Sequence, residues 1–408
     1  MAAAAGPGPL SAGAAGLAAE DALRRLDALL AVGLGLARSA RTGRVALARA
    51  AAAIDPDWLP GRSGRRLAAE LRAASERPLE PLPPRRIERI LRDAWGTSPT
   101  EELDELDGNP VALTPGSQVH VGRRGGHPVA IKVLRPGLAA ALRQDLALLE
   151  ALAAPLATAF PGLDAGAVLR EVRERTLAEL DLESEAEAQR RFHRALRGHP
   201  FLVVAPPVMA LCRSDVLVSE WVDGAPLWHA RDPDQAAARL VRFALGAPAT
   251  GMIHADLNPD DVLVLADGRL AILDFGATRE VDRARVALAA EALEAFIARD
   301  AEALGDRLER LGWLPRARAG EALALSTTLL AELGGPEPAR LDSAAVLAAR
   351  DRVAAHDEAL AELAACGRLE PEDLWPARGI GQLFGTIALV GATGAWPELA
   401  RGALREGW

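Results

Sequence analysis

The chain has 408 residues, half of them apolar, enough for one large domain or two ordinary ones with a sizeable core. Its formal charge of -9 and pI near 5.5 argue against a general nucleic-acid binder, which carries a basic face. The only two cysteines, Cys212 and Cys366, are too far apart in sequence for zinc spacing and too few for a disulfide framework, and they suit a reducing compartment.

The first twenty residues, rich in Ala, Gly and Pro, read as a disordered tail. They make a poor signal peptide, because no basic residue precedes Arg24 and no leucine-type apolar run follows. Residues 21–100 read as a helical extension. Leu23, Leu26, Leu29 and Leu30 recur at helical spacing, Pro56, Pro60 and Gly61 mark a connector, and the prolines from Pro78 to Pro84 interrupt the helices. Ser117 to Gly122 and Pro128 to Leu134 then form a hairpin signature around Gly125-Gly126. Two long helices are expected over about 138–159 and 165–196. Strands are expected at 201–205 and 216–221, a helix at 233–245, and a second hairpin at 262–265 and 270–273, turning at Asp267-Gly268. Helices dominate from about Arg283 onward. No segment reaches the roughly 18 strongly apolar residues of a membrane span.

Lys132 is the only lysine among 47 basic residues, and tyrosine is absent. In a chain that uses arginine wherever charge alone matters, a surviving lysine marks a place where a compact ammonium is needed and a planar fork will not serve. Chance survival is the bland alternative, and the context weighs against it. Val129-Ala130-Ile131-Lys132 lies on the second strand of the first hairpin, where a lysine can point into a cleft and meet nucleotide phosphates. Downstream, Glu179, Asp181 and Glu185 fall on one expected helix, with Asp181 and Glu185 four residues apart on one face. Alone, such acids read as a solvated face. Then come His254-Ala255-Asp256, Asp261 five residues later, a hairpin, and Asp274-Phe275-Gly276. Kinase-type phosphoryl transfer uses this order: a carboxylate beside the acceptor, a metal ligand five residues on, and a second metal-binding carboxylate past a hairpin. Each single string is weak, whereas the ordered set is specific.

These residues resemble the UbiB/ADCK/AarF family of atypical kinases, over about residues 59–396. The marks are Ser117-Gln118-Val119-His120, Val129 to Val133 with Arg135-Pro136, Glu179-Leu180-Asp181 with Glu185-Ala186, Glu220 to Gly224, Gly251 to Asp256, Leu273 to Gly276, and the closing stretch 379–396. The resemblance implies an α+β, protein-kinase-like two-lobed fold with an N-terminal helical extension, an N-lobe over 101–224 and a helical C-lobe over 225–408. It implies ATP with Mg²⁺ or Mn²⁺ as cofactors. Lys132 would hold phosphates and pair with Glu185, Asp256 would orient the acceptor, and Asp261 and Asp274 would bind metal. Ala112 and Thr114 would form the phosphate loop, the Ser219 to Val222 hinge, with Glu220 and Val222, would meet adenine through its backbone, and Glu179 and Asp181 would match the Glu-x-Asp motif near the active site.

Three departures stand out. The family's Lys-x-Gly-Gln falls on Leu47-Ala48-Arg49-Ala50, its Ala-rich loop on Ala112-Leu113-Thr114-Pro115, and its Pro-His-Pro-Gly-Asn on Leu257-Asn258-Pro259-Asp260-Asp261. The metal-binding Asn is thus Asp261. The resemblance implies ATP hydrolysis or small-molecule phosphorylation tied to isoprenoid-quinone or membrane-lipid metabolism. The expected partners are ATP, lipid or quinone intermediates and a peripheral membrane surface, with no nucleic acid, and the expected location is cytoplasmic or at the inner face of the membrane. A nucleotide-binding scaffold for lipid-processing enzymes is the alternative. A choline- or antibiotic-type phosphotransferase shares the His-x-Asp logic but lacks the Glu-Leu-Asp helix and the long extension.

Overall fold

The computed structural model describes residues 79–408 apart from 115, 160–163, 336 and 369, together with the helical residues 24, 25, 27, 28, 31, 32, 66 and 69. The expected tail, the leucine-spaced helix, the connector at 54–62 and the Lys-x-Gly-Gln position lie outside the described residues.

The upper layer is an antiparallel sheet in the order β1-β2-β3-β5: β1 Glu105–Leu113, β2 Ser117–Arg124, β3 His127–Leu134 and β5 Val216–Glu220. Gly125 and Gly126 both take positive φ, 58° and 80°, as a two-residue hairpin turn requires, and this sets the register that pairs Lys132 with Val119 and Leu217. Helix α1, Pro84–Trp95, covers the back of this sheet. Its Ile87 and Leu91 are buried with Ile131, Val133, Val216 and Val218. Trp95 Nε1 donates to Leu211 O at 2.9 Å, and Leu82 N donates to Gln118 Oε1 at 2.8 Å, so the segment before the sheet is tied down by polar contacts as well.

Below lies a second sheet in the order β4-β9-β8-β6: β4 Leu202–Val204, β9 Leu270–Ile272, β8 Val262–Val264 and β6 Ala225–Pro226. A further strand pair joins β7 Met252–His254 to β10 Thr278–Glu280. Among helices, α2 is Leu138–Leu146, α3 Ala165–Ala178, α4 Leu182–Ala195 and α5 Pro233–Gly246. Later ones include α6 Arg283–Ile297, α7 Ala301–Leu311, and a long helix near the C-terminus, Leu374–Val390. The lower core gathers Phe192, Leu240, Phe243, Leu257, Phe275, Leu383 and Ile387.

Two expected helices are corrected, and one strand is new. The helix expected over 165–196 is two helices, because Asp181 leaves helical geometry (φ -111°) and caps α4, its carboxylate accepting from Glu183 N and Ser184 N. The helix expected over 138–159 breaks into α2, a 3-10 segment Ala147–Leu152 and a short helix Ala153–Ala159. Residues 105–113 form β1, which the sequence hides because turn-forming residues, Asp107-Gly108-Asn109-Pro110, stand in its middle; its burial alternates from Glu105 to Val111, but Gly108 and Pro110 hold two of the inward positions, and the register against β2 shifts on both sides of Pro110.

Phe192 anchors α4 in the lower core. Its ring lies 5.0 Å from Phe275, 5.7 Å from Phe243 and 5.5 Å from Trp408, centroid to centroid. Phe192→Ala is expected to cost about 3–5 kcal/mol in denaturant unfolding, as for a fully buried aromatic. A loss below about 1 kcal/mol would show that this cluster does not anchor α4.

Candidate active site

Strand β3, helix α4 and the loop after β9 deliver three charged groups to one point. Lys132 Nζ donates to both Glu185 oxygens, at 2.8 and 2.9 Å, and to Asp274 Oδ2 at 2.9 Å. Alternation along β3 sends Val129, Ile131 and Val133 into the core and turns Lys132 to the opposite, cleft face. Glu185 sits in the first turn of α4, where the helix dipole favours an acid, and its side chain is only 3% exposed.

Electrostatics follow from this crowding. Burial alone would lower the lysine, but the charges of Asp274 and Glu185 outweigh it and hold Lys132 above its ordinary range. Burial, reinforced by the charge of Asp274, pushes Glu185 up to about 7 despite the lysine. Asp274 resists its own desolvation because Lys132 faces it and Gly276 N donates to it, and it is held at about 2. Asp261 has no such cation in contact: burial first, then the charges of Asp274 and Asp256, raise it well above the ordinary value.

His254, at the end of β7, is buried and donates through Nε2 to the backbone carbonyl of Asp274, which ties the His-x-Asp loop to the Asp-Phe-Gly loop. Burial lowers its pKa, so the ring is neutral with its proton on Nε2. The loop 255–261 then turns through Asn258 N to Asp256 O and Asp261 N to Asn258 O, both 3.1 Å. Leu273 N donates to Asp261 O at 3.0 Å, which keeps Asp261 and Asp274 at neighbouring strand ends.

The other expected site residues fall as follows. Thr114 closes the β1–β2 turn: its Oγ1 accepts from Ser117 N at 2.9 Å and pairs with Ser117 Oγ at 2.9 Å. Ala112 is exposed on β1 opposite Val119. Glu220 ends β5, and Val222 lies on the link from β5 to β6, which runs from one sheet to the other. Its entry is fixed by Glu220 N to Pro206 O and Trp221 N to Pro128 O, both 3.1 Å. Asp181 is the cap of the helix that presents Glu185. Glu179 faces two cations, Arg279 at 3.2 Å and Arg378 at 3.7 Å.

Sequence reasoning missed Arg378. Its Nη2 lies 2.8 Å from Asp256 Oδ2, and it comes from the long helix near the C-terminus. Its approach depends on the residue after it. Gly379 follows it, and a Cβ there would stand 2.9 Å from His254 O, so glycine permits the helix to press on the His-x-Asp loop. Thr386 Oγ1, on the same face, donates to Leu257 O at 2.7 Å.

A divalent ion fits this chemistry. Asp261 and Asp274 are hard oxygen donors, and Asp261 is an acid whose charge the protein alone leaves poorly compensated. Among the described residues no group of three or more His, Cys, Asp or Glu side chains could hold a metal. Magnesium does not need one, since it is commonly held by one or two carboxylates and substrate phosphates. Bound there, the ion would shield phosphate charge, while Lys132 would contact phosphate and Asp256 would face the acceptor.

Metal affinity should therefore rise with pH. A metal ion needs its carboxylates ionised, burial holds Asp261 above its ordinary value, and Glu185 ionises near pH 7. Glu185 also sets a stability trend: with its folded value above the ordinary 4.5, its contribution is present below pH 4.5 and lost as pH rises through about 7. Asp274 has the opposite sign, its contribution being lost as pH falls from 3.8 toward about 2. Calorimetric titration of Mg²⁺ and ATP in buffers of different ionisation enthalpy should show proton release near pH 6. A pH-independent affinity between 5.5 and 8 would contradict this.

An antiparallel sheet above, a helix-borne glutamate on a strand lysine, and His-x-Asp and Asp-Phe-Gly loops below together define a protein-kinase-like fold. The model of the ABC1 atypical kinase-like domain matches residues 76–307, and the chain belongs to that family, the UbiB/ADCK group of atypical kinases. It is 31% identical over 268 residues to slr0889 of Synechocystis sp., covering 60% of this chain and 64% of that protein. It is 28% identical over 251 residues to the probable protein kinase UbiB of Azotobacter vinelandii, covering 58% and 47%. Against ACTIVITY OF BC1 COMPLEX KINASE 1 of Arabidopsis thaliana it is 27% identical over 241 residues, covering 56% and 35%. The matched region thus spans less than two thirds of each of these relatives. The solved structure of Rv3197 with erythromycin, from Mycobacterium tuberculosis, shares the fold at TM-score 0.62 and 24% identity, covering 87% of this chain and 89% of that one. No helix among the described residues is long and apolar enough to cross a membrane.

Proposed function

We propose that this chain binds Mg²⁺- or Mn²⁺-ATP between its lobes and passes the γ-phosphoryl group to a hydroxyl acceptor or to water. The observation that carries the reading is the three-way contact of Lys132 with Glu185 and Asp274. In a kinase-like site the Lys–Glu pair and the metal-binding aspartate must both be in place, and here they are pre-assembled. Asp256 is the group that takes the acceptor proton, and Asp261 with Asp274 forms the protein's share of the metal site. The backbone of Glu220 to Val222 meets adenine, and the Ala112 to Thr114 turn covers the phosphates. Membership of the UbiB group supports a role in isoprenoid-quinone or membrane-lipid metabolism, with the protein acting at the membrane surface.

Release of labelled phosphate from γ-labelled ATP tests the reading. Metal-dependent release that Asp256→Asn abolishes is expected. A second reading, a nucleotide-binding scaffold, draws on Asp261 in place of the family's Asn, an added charge beside Asp260. Tight nucleotide binding without release in either metal would favour it.

A further inference from the structure

The reading of Asp256 as proton acceptor raises a difficulty in the geometry, and Arg378 resolves it. The Asp256 side chain is 27% exposed, but neither of its oxygens is both exposed and unoccupied. Oδ1 is buried with no hydrogen-bond partner, and Oδ2 is held by Arg378 Nη2 at 2.8 Å. The loop itself, Asp256 to Asp261, carries no cation. The arginine that covers Asp256 is imported from another element.

The backbone beneath Arg378 is fixed. Trp375, Gly379, Leu383, Thr386 and Ile387 are buried along one face of its helix, and Gly379 presses against the carbonyl of His254. The helix cannot retreat without breaking that packing, so the side chain must be the moving part. A second seat lies ready. Glu179 Oε1 is 3.7 Å from Arg378 Nη1, and the guanidinium lies 5.5 Å from the centre of the Trp375 ring, a flat surface along which it can slide. Arg279 stacks at 5.1 Å from the same ring and already holds Glu179 at 3.2 Å, which keeps that carboxylate in place.

We infer that Arg378 is a latch on Asp256, masking Oδ2 in the resting protein and releasing it when the guanidinium shifts toward Glu179. Once released, Oδ2 accepts the proton of the acceptor hydroxyl or of water. The acceptor oxygen then forms its bond to the γ-phosphorus, and the bond from that phosphorus to the β–γ bridging oxygen breaks, with ADP leaving. The latch restrains hydrolysis by water, because unlatching costs a charge-assisted hydrogen bond that only a well-bound acceptor offsets.

The inference rests on the nucleotide reading, and the test separates the two. Arg378→Gln and Arg378→Lys are compared with the unaltered protein in two assays: melting temperature with Mg²⁺-ATP, and phosphate release without added acceptor. Nucleotide stabilisation should be the same in all three. Phosphate release should rise about tenfold in Arg378→Gln, the equivalent of one hydrogen bond to a charged group, and less in Arg378→Lys, which keeps the charge. Unchanged or lower release in Arg378→Gln, with nucleotide stabilisation intact, overturns the latch alone. Absence of nucleotide stabilisation in the unaltered protein overturns the nucleotide reading and the latch with it.

Discussion

Lys132→Met lowers phosphate release by about 10²–10³, the loss expected when a preorganised charge on the transferring group is removed. It also destabilises the metal-free protein. Glu185, 3% exposed, is left beside Asp274 without its cation. Removing one partner of a buried pair costs about 3–5 kcal/mol. The low end applies here, because Glu185 sits at about 7 and takes up a proton readily, and Asp274, at 39% exposure, is partly screened by water. Lys132→Arg does not rescue activity, since the fork is too broad for a point where three oxygens converge within 2.9 Å. Phosphate release and urea unfolding check both parts. Activity within threefold of the original would remove Lys132 from the phosphate site.

Asp274→Asn behaves differently, and the contrast separates structure from chemistry. Phosphate release falls by about 10²–10³ because the metal and phosphate charge lose a ligand. Stability without nucleotide changes by less than about 1 kcal/mol, because the Lys132–Glu185 pair survives and the repulsion that helps raise Glu185 is gone. Glu185 consequently titrates lower, and the loss of stability toward neutral pH is reduced. The same unfolding and release assays check this. Metal-dependent nucleotide stabilisation that persists in Asp274→Asn would show that Asp274 is not a metal ligand.

Much of the core of the site is legible in the sequence because it is written in short strings of fixed order. Lys132 on a β-branched strand, His254 to Asp256, and Asp274 to Gly276 each announce a local geometry, and the hairpin between the last two fixes their spacing. Glu185 was readable only as a member of that order, since its own helix is full of acids. Asp181 illustrates the limit of periodicity. Four residues from Glu185 suggests a shared helix face, but an aspartate before Leu182-Glu183-Ser184 is also a good cap, and the backbone takes the cap. Strand β1 is hidden because Asp107, Gly108, Asn109 and Pro110, residues that ordinarily mark a turn, occupy its middle, although its burial alternates as a half-buried strand should.

Arg378 and Trp408 lie beyond what local pattern can reach. Arg378 meets Asp256 only because Gly379 lets one helix approach a distant loop, and Trp408 enters the lower core by stacking on Phe243, 6.2 Å between ring centres. Both contacts join segments far apart in the chain, and nothing in the spacing around either residue names its partner. The pairings of β7 with β10 and of β4 with β9 are short and three residues long, so tertiary context places them and propensity does not.

The most direct test of the central claim is the melting temperature of the protein with ATP, with and without Mg²⁺ or Mn²⁺, alongside Asp274→Ala. A metal-dependent rise in the unaltered protein that Asp274→Ala abolishes is the result expected if Lys132, Glu185 and Asp274 form a nucleotide site. No rise at millimolar nucleotide in either metal would contradict it.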